Sequence, residues 1–143
     1  MGGDPDLPTH LSRYEDIDIA LDPFPCNGGT TSCEALWMGA PVVTMAGDTF
    51  MGRQGVNYLT KLGLSELIAK SPDAYLTAAT ELAAHPQRIR KLRETLRARV
   101  EARLFDPATH VAELETAYLE MHRRYVHNVP TSSFSVQGGK LEC

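Results

Sequence analysis

The residues best suited to chemistry are Asn27-Gly28-Gly29-Thr30-Thr31, with Glu34 three places further on. Two successive glycines take positive φ at little cost and let a ligand approach the backbone closely. Thr30 and Thr31 add hydroxyls and, in the first turn of a helix, N–H groups that have no carbonyl partner within it. Those N–H groups and the positive end of the helix dipole converge on one spot, which suits an anion such as a phosphate. Glu34 lies one turn further along, where a carboxylate accepts hydrogen bonds from a sugar diol. The same residues also have a plainer reading, with Thr30 or Thr31 as N-cap and Glu34 closing a capping box with Thr31. Neither G-x-G-x-x-G nor G-x-x-x-x-G-K-[ST] occurs in the chain, so the dinucleotide and P-loop fingerprints do not apply.

Ile17, Ile19 and Leu21 alternate with Asp18 and Ala20 ahead of Pro23 and Pro25, which predicts a strand that ends just before the glycines. A helix over Thr31–Met38 follows, with Gly39 as its C′ residue and Pro41 barring its continuation, and then a second strand over Pro41–Met45. This is a βαβ unit. Its right-handed crossover puts the glycine turn at the carboxyl edge of a parallel sheet, where ligands of open α/β sheets bind. The loop from Ala46 to Gly52 leaves the same edge and leads into a helix over Arg53–Leu62 that Gly63 ends. Arg53 is therefore a candidate phosphate contact, with simple exposure or a pair with Asp48 as the other reading. Asp22 beside an anion would repel it, so its expected role is to order the turn.

Further on, Leu64–Ala69 reads as a third strand, and Ser71-Pro72 opens a helix that His85-Pro86 closes. Ile89, Leu92, Leu96 and Val100 form the apolar stripe of the next helix. Around it stand Arg88, Arg90, Lys91, Arg93, Arg97, Arg99 and Arg103. With Glu94 and Glu101 interleaved and no aromatic residue to stack a base, these read as a solvated face. Asp106-Pro107 starts a last helix whose Val111, Leu114, Tyr118, Met121 and Tyr125 form a stripe, suited to docking on a further domain or to self-association. The expected organisation is a flexible leader over 1–8, one domain over 9–128 that opens with a short helix from Thr9 to Glu15, and a disordered tail over 129–143.

The chain has 143 residues and a net charge of −4, which suits one globular domain and argues against a nucleic-acid partner. No apolar run approaches the ~18 residues of a membrane span, and the first residues carry no basic or apolar leader, so a cytoplasmic protein is expected. Cys26, Cys33 and Cys143 show no metal-ligand spacing and read as free thiols.

The string Leu21-Asp22-Pro23-Phe24-Pro25-Cys26-Asn27-Gly28-Gly29-Thr30-Thr31, followed by Glu34-Ala35-Leu36-Trp37-Met38-Gly39-Ala40-Pro41-Val42-Val43-Thr44, resembles the C-terminal donor-binding region of the O-GlcNAc transferase/SPINDLY family of protein glycosyltransferases. The likeness runs from about Tyr14 to Tyr125. It implies an α/β fold, an incomplete Rossmann-like parallel sheet like the C-terminal half of a two-domain GT-B glycosyltransferase, followed by C-terminal helices. It also implies that Asn27, Gly28, Gly29, Thr30 and Thr31 wrap the diphosphate of a nucleotide sugar and that Glu34 holds its ribose. Animal members of the family have His in place of Gly29 and Asp in place of Glu34; the first difference removes a donor and the second lengthens the ribose contact. The implied reaction moves GlcNAc from UDP-GlcNAc to Ser or Thr with inversion, using no metal or other cofactor, with the protein acceptor held by regions outside this chain. GDP-fucose as donor, or a non-catalytic module that binds a nucleotide or completes a partner, are the alternatives. No residue in the chain qualifies as the general base.

Overall fold

The structure is a computed structural model that describes residues 6–142. These form two compact units that divide between Leu104 and Phe105. The first unit begins with α1 (Leu7–Ser12), capped by the Asp6 carboxylate on the Thr9 N–H at 2.8 Å, and continues into a 3-10 turn at Arg13–Asp16. Asp6 with Pro8 in the first turn is a cap-then-proline start, so Leu7 and Pro8, expected in the leader, are helical instead. The rest of the predicted leader, residues 1–5, lies outside the described residues.

A three-stranded parallel sheet follows in the order β1 (Ala20–Leu21), β2 (Val42–Met45), β3 (Ile68–Ala69), with Ala20 opposite Val42 and Thr44 opposite Ile68. The three strands of this sheet are those that the sequence predicts, but β1 and β3 are shorter than predicted. Ile17 and Ile19 still pack on the core, whereas Leu21 is 58% exposed and the next residue, Asp22, is buried. Before β3, Ser65–Leu67 forms a 3-10 turn.

Between the strands lie α2 (Thr30–Trp37) and α3 (Gln54–Leu62), followed by α4 (Pro72–Ala83) and α5 (Pro86–Arg103). Gly39 at φ +88° and Gly63 at φ +70° end α2 and α3 in the left-handed conformation that glycine adopts without strain. Leu36, Leu59, Leu62, Leu67, Leu82, Leu96, Val42, Val43 and Val100 are almost wholly removed from solvent. At roughly 1.5–3 kcal/mol for each large apolar side chain, these residues are the main stabilising mass of the unit. The predicted stripe of α5, Ile89, Leu92, Leu96 and Val100, is buried as expected. Its basic face is largely occupied: Arg88 pairs with Glu66 at 2.9 Å, Arg97 lies 4.5 Å over the Trp37 ring, and Arg103 donates to the Lys61 carbonyl.

The second unit is α6 (Pro107–Val126) with a β-hairpin formed by β4 (Ser135–Gln137) and β5 (Lys140–Glu142). The hairpin replaces the expected disorder over most of 129–143. Gly138 and Gly139, at φ +57° and +74°, form the paired positive-φ turn that matches the twist of a two-residue hairpin. Thr116 donates to the Gly139 carbonyl at 3.0 Å, and the Gly138 N–H donates to Glu113 at 2.9 Å, tying the hairpin to α6. Glu120 is buried between Arg123 and Arg124, which bond it at 2.6–2.8 Å and hold its carboxyl down at about 2. The predicted stripe Val111, Leu114, Tyr118, Met121 and Tyr125 is exposed. Among the described residues no helix is long and apolar enough to cross a membrane.

Candidate functional site

The strongest organising group at the carboxyl edge is Asp22, 2% exposed just after β1. Its Oδ1 accepts from the Gly28 N–H and the Ser32 hydroxyl, each at 2.8 Å, and its Oδ2 accepts from the Thr44 hydroxyl at 2.6 Å. A buried carboxylate is tolerable only with such donors. Their arrangement ties β1, the glycine turn, the first turn of α2 and β2 to one side chain. Asp22 thus orders the turn, as the sequence predicts. Gly55 seals it from above: a Cβ there would collide with the Thr44 hydroxyl and stand 2.5 Å from Asp22 Oδ2, so only glycine lets α3 come this close.

Gly28 is required for a similar reason. A Cβ there would run into Ser32 Oγ and sit 2.7 Å from Thr31 Oγ1. Gly29 is different, since a Cβ there meets nothing within 4 Å. Gly29 is the N-cap of α2 and provides no side-chain cap. The capping reading, with Thr30 or Thr31 as N-cap and Glu34 closing the box, is thereby overturned. The first bond of α2 runs from the Cys33 N–H to the Gly29 carbonyl at 3.2 Å. The N–H groups of Thr30, Thr31 and Ser32 precede it, in the positions that helix geometry leaves without an intrahelical acceptor. Thr30 and Thr31 are exposed. An exposed, uncapped helix start behind a glycine turn is an anion site in its chemistry.

Asn27 braces the turn from the other side. It is 4% exposed; its N–H donates to the Met51 carbonyl at 3.0 Å, and its Nδ2 donates to the Pro23 carbonyl at 3.0 Å and the Met45 carbonyl at 3.4 Å. Its Oδ1 is a buried acceptor with no donor among the described residues. The bond to Met51 brings the loop from Ala46 to Gly52 against the glycine turn, and Gly52 packs so tightly that a Cβ would sit 2.8 Å from the Pro25 carbonyl. Arg53 follows this loop in a 3-10 turn at Met51–Arg53, before α3 begins at Gln54. Its guanidinium is exposed and donates to the Gly47 carbonyl at 3.3 Å rather than pairing with Asp48.

Glu34 sits one turn into α2 with its side chain 19% exposed, and faces α1 and the turn after it. His10 Nε2 lies 3.1 Å from Glu34 Oε2, and the Tyr14 hydroxyl donates to the same oxygen at 3.3 Å. Sequence reasoning did not find these two partners, nor Ser32 and Thr44 around Asp22. A Ser or Thr one helical turn after a glycine pair and another in the adjacent strand are faint signals until the strand order is known.

Two nearby groups are unsuited to proton or nucleophile chemistry. Burial raises the Cys33 thiol, disfavouring the thiolate. Burial, with Cys33 and Asp22 nearby, pushes Tyr58 up to about 12.

A family model described as glycosyl transferase family 41 matches residues 7–114. The chain belongs to that family. A probable UDP-N-acetylglucosamine–peptide N-acetylglucosaminyltransferase SPINDLY from Oryza sativa is 44% identical over 117 residues, which are 81% of this chain and 13% of that protein. The Caenorhabditis elegans UDP-N-acetylglucosamine–peptide N-acetylglucosaminyltransferase is 32% identical over 122 residues, 85% of this chain and 11% of the relative. A mutant of the Thermobaculum terrenum O-GlcNAc transferase superposes with a TM-score of 0.79 at 38% identity, covering 87% of this chain and 24% of that one. The chain therefore spans about an eighth of the length of its plant relatives. The α/β fold with a parallel sheet expected from the sequence agrees with this structural likeness.

Proposed function

We propose that this chain is the nucleotide-sugar-binding, C-terminal part of an inverting protein O-glycosyltransferase that moves GlcNAc from UDP-GlcNAc to Ser or Thr. The observation that carries the reading is the exposed, uncapped start of α2, fixed by Asp22 and bordered by Glu34. The diphosphate meets the N–H groups of Thr30 and Thr31, their hydroxyls and the backbone at Gly28 and Gly29. Glu34 accepts from the ribose diol, and Arg53 swings from the Gly47 carbonyl toward the phosphates. The names of the relatives, which specify UDP-N-acetylglucosamine, support UDP-GlcNAc over GDP-fucose as donor.

In the reaction an acceptor hydroxyl attacks the anomeric carbon from the face opposite the diphosphate. The bond from that carbon to the phosphate oxygen breaks, and the electron pair leaves on the diphosphate. The start of α2 stabilises this growing charge through fixed dipoles, without a metal or other cofactor in the scheme. The base that takes the hydroxyl proton and the surface that holds the acceptor protein belong to the rest of a longer cytoplasmic polypeptide.

Calorimetric titration of that complete polypeptide with UDP and with GDP tests the reading. UDP is expected to bind more tightly, and Thr31→Val to weaken it. Preference for GDP would move the donor to GDP-fucose, and binding of neither would leave a non-catalytic module.

A further inference from the structure

Both contacts to the Glu34 carboxylate come from one short segment, α1 and the 3-10 turn after it, and both fall on Oε2. The Tyr14 hydroxyl lies 3.3 Å from Glu34 Oε2 and 3.3 Å from the Thr31 carbonyl. One hydroxyl is thus within reach of both the Glu34 carboxylate and the backbone of the first turn of α2, the turn that opens the candidate anion site. Among the described residues Oε1 accepts no hydrogen bond, which leaves its lone pairs for another donor. A long carboxylate side chain loses rotamer freedom when it binds, and a partner that fixes the rotamer beforehand removes that cost.

Tyr14 is itself anchored from a distance. The Arg93 guanidinium, from α5, donates to the carbonyls of Tyr14 at 3.1 Å, Glu15 at 3.1 Å and Ile17 at 2.5 Å. One planar fork thus satisfies three carbonyls at the end of the 3-10 turn. The α5 backbone at Arg93 is in turn pressed against Gly39, where a Cβ would sit 3.2 Å from the Arg93 carbonyl. The ring that touches Glu34 therefore stands on a turn fixed to the core helix. Burial, with the Glu34 charge beside it, raises Tyr14 above its ordinary range, so it stays a hydroxyl donor at neutral pH.

We propose that Tyr14 is a positioning residue for donor binding: its hydroxyl holds Glu34 in the rotamer that meets the ribose diol. This rests on the assignment of Glu34 to the ribose under the proposed function.

The test is a double-mutant cycle in the complete polypeptide, with UDP and inorganic pyrophosphate as titrants and the unfolding midpoint measured alongside. Glu34→Ala is expected to weaken UDP and leave pyrophosphate unchanged. Tyr14→Phe, which keeps the ring, should weaken UDP by roughly three- to tenfold, the scale of one hydrogen bond. It should also leave pyrophosphate and the midpoint near wild type and add nothing in the Glu34→Ala background. Weakening that multiplies with that of Glu34→Ala, that extends equally to pyrophosphate, or that is absent while Glu34→Ala matters would overturn the role of Tyr14 alone. A Glu34→Ala protein that binds UDP as wild type does would overturn the ribose assignment, and the Tyr14 role with it.

Discussion

Asp22, Gly28 and Gly29 show how unequal neighbouring residues can be. Replacing Asp22 with Ala strips the acceptor from a half-buried N–H and two buried hydroxyls. With each hydrogen bond to a charged group worth about 1.5–3 kcal/mol, the loss should exceed about 3 kcal/mol, read as a large fall in the denaturation midpoint. Asp22→Asn should cost less, since the Thr44 hydroxyl can rotate to accept from the new amide. Gly28→Ala forces a Cβ onto Ser32 and Thr31 and should cost about 1–3 kcal/mol, as overpacking does. Gly29→Ala enters open space, and its cost should be that of a poorer N-cap, about 1 kcal/mol or less. Equal midpoints for the two glycine variants would show that the turn repacks around Gly28.

Among the elements, α5 was the most legible, because Ile89, Leu92, Leu96 and Val100 recur without interruption over its 18 residues and every one is buried. The βαβ unit was legible for a related reason: Gly39, Pro41 and the β-branched Val42 and Val43 punctuate it sharply. The hairpin was not, since the Ser and Gly content around it is also the composition of a disordered tail, and only the adjacent Gly138 and Gly139 mark the turn. In β1 the alternation of Ile17, Ile19 and Leu21 overstated the strand, because the anchor at its end is a buried carboxylate. His10 and Tyr14 could not be found from sequence, lying 24 and 20 residues from Glu34 along the chain. In α6, Glu120 is held at about 2 by the hydrogen bonds of Arg123 and then Arg124, below its ordinary 4.5. A carboxyl lowered in the folded state contributes stability that is fully present above about 4.5 and lost as pH falls toward 2. Glu120→Gln should therefore flatten the acid side of the helix melting curve in that window, as followed by circular dichroism; an unchanged acid limb would mean that these pairs do not stabilise α6.

For the molecule as a whole, the fraction of its relatives' length that the chain spans matters most. Residues 1–143 alone should transfer no GlcNAc from UDP-GlcNAc to an acceptor protein above a no-enzyme control, because the proposed function leaves the acceptor surface and the base to the rest of a longer polypeptide. The stripe Val111, Leu114, Tyr118, Met121 and Tyr125 is 43–82% exposed. Burying such side chains is worth roughly 1.5–3 kcal/mol each, so light scattering on the isolated chain should show association. A monodisperse monomer would count against self-association through α6.

The most direct measurement is calorimetry on the complete polypeptide carrying Glu34→Gln, titrated with UDP and with inorganic pyrophosphate. Glu34 is no N-cap partner here, so Gln offers no capping substitute to confuse the result. The expected outcome is UDP binding weakened by about 1.5–3 kcal/mol with pyrophosphate unchanged, since only the ribose contact loses its charge. UDP and pyrophosphate affinities that both match wild type would contradict a nucleotide sugar at the start of α2 with its ribose on Glu34.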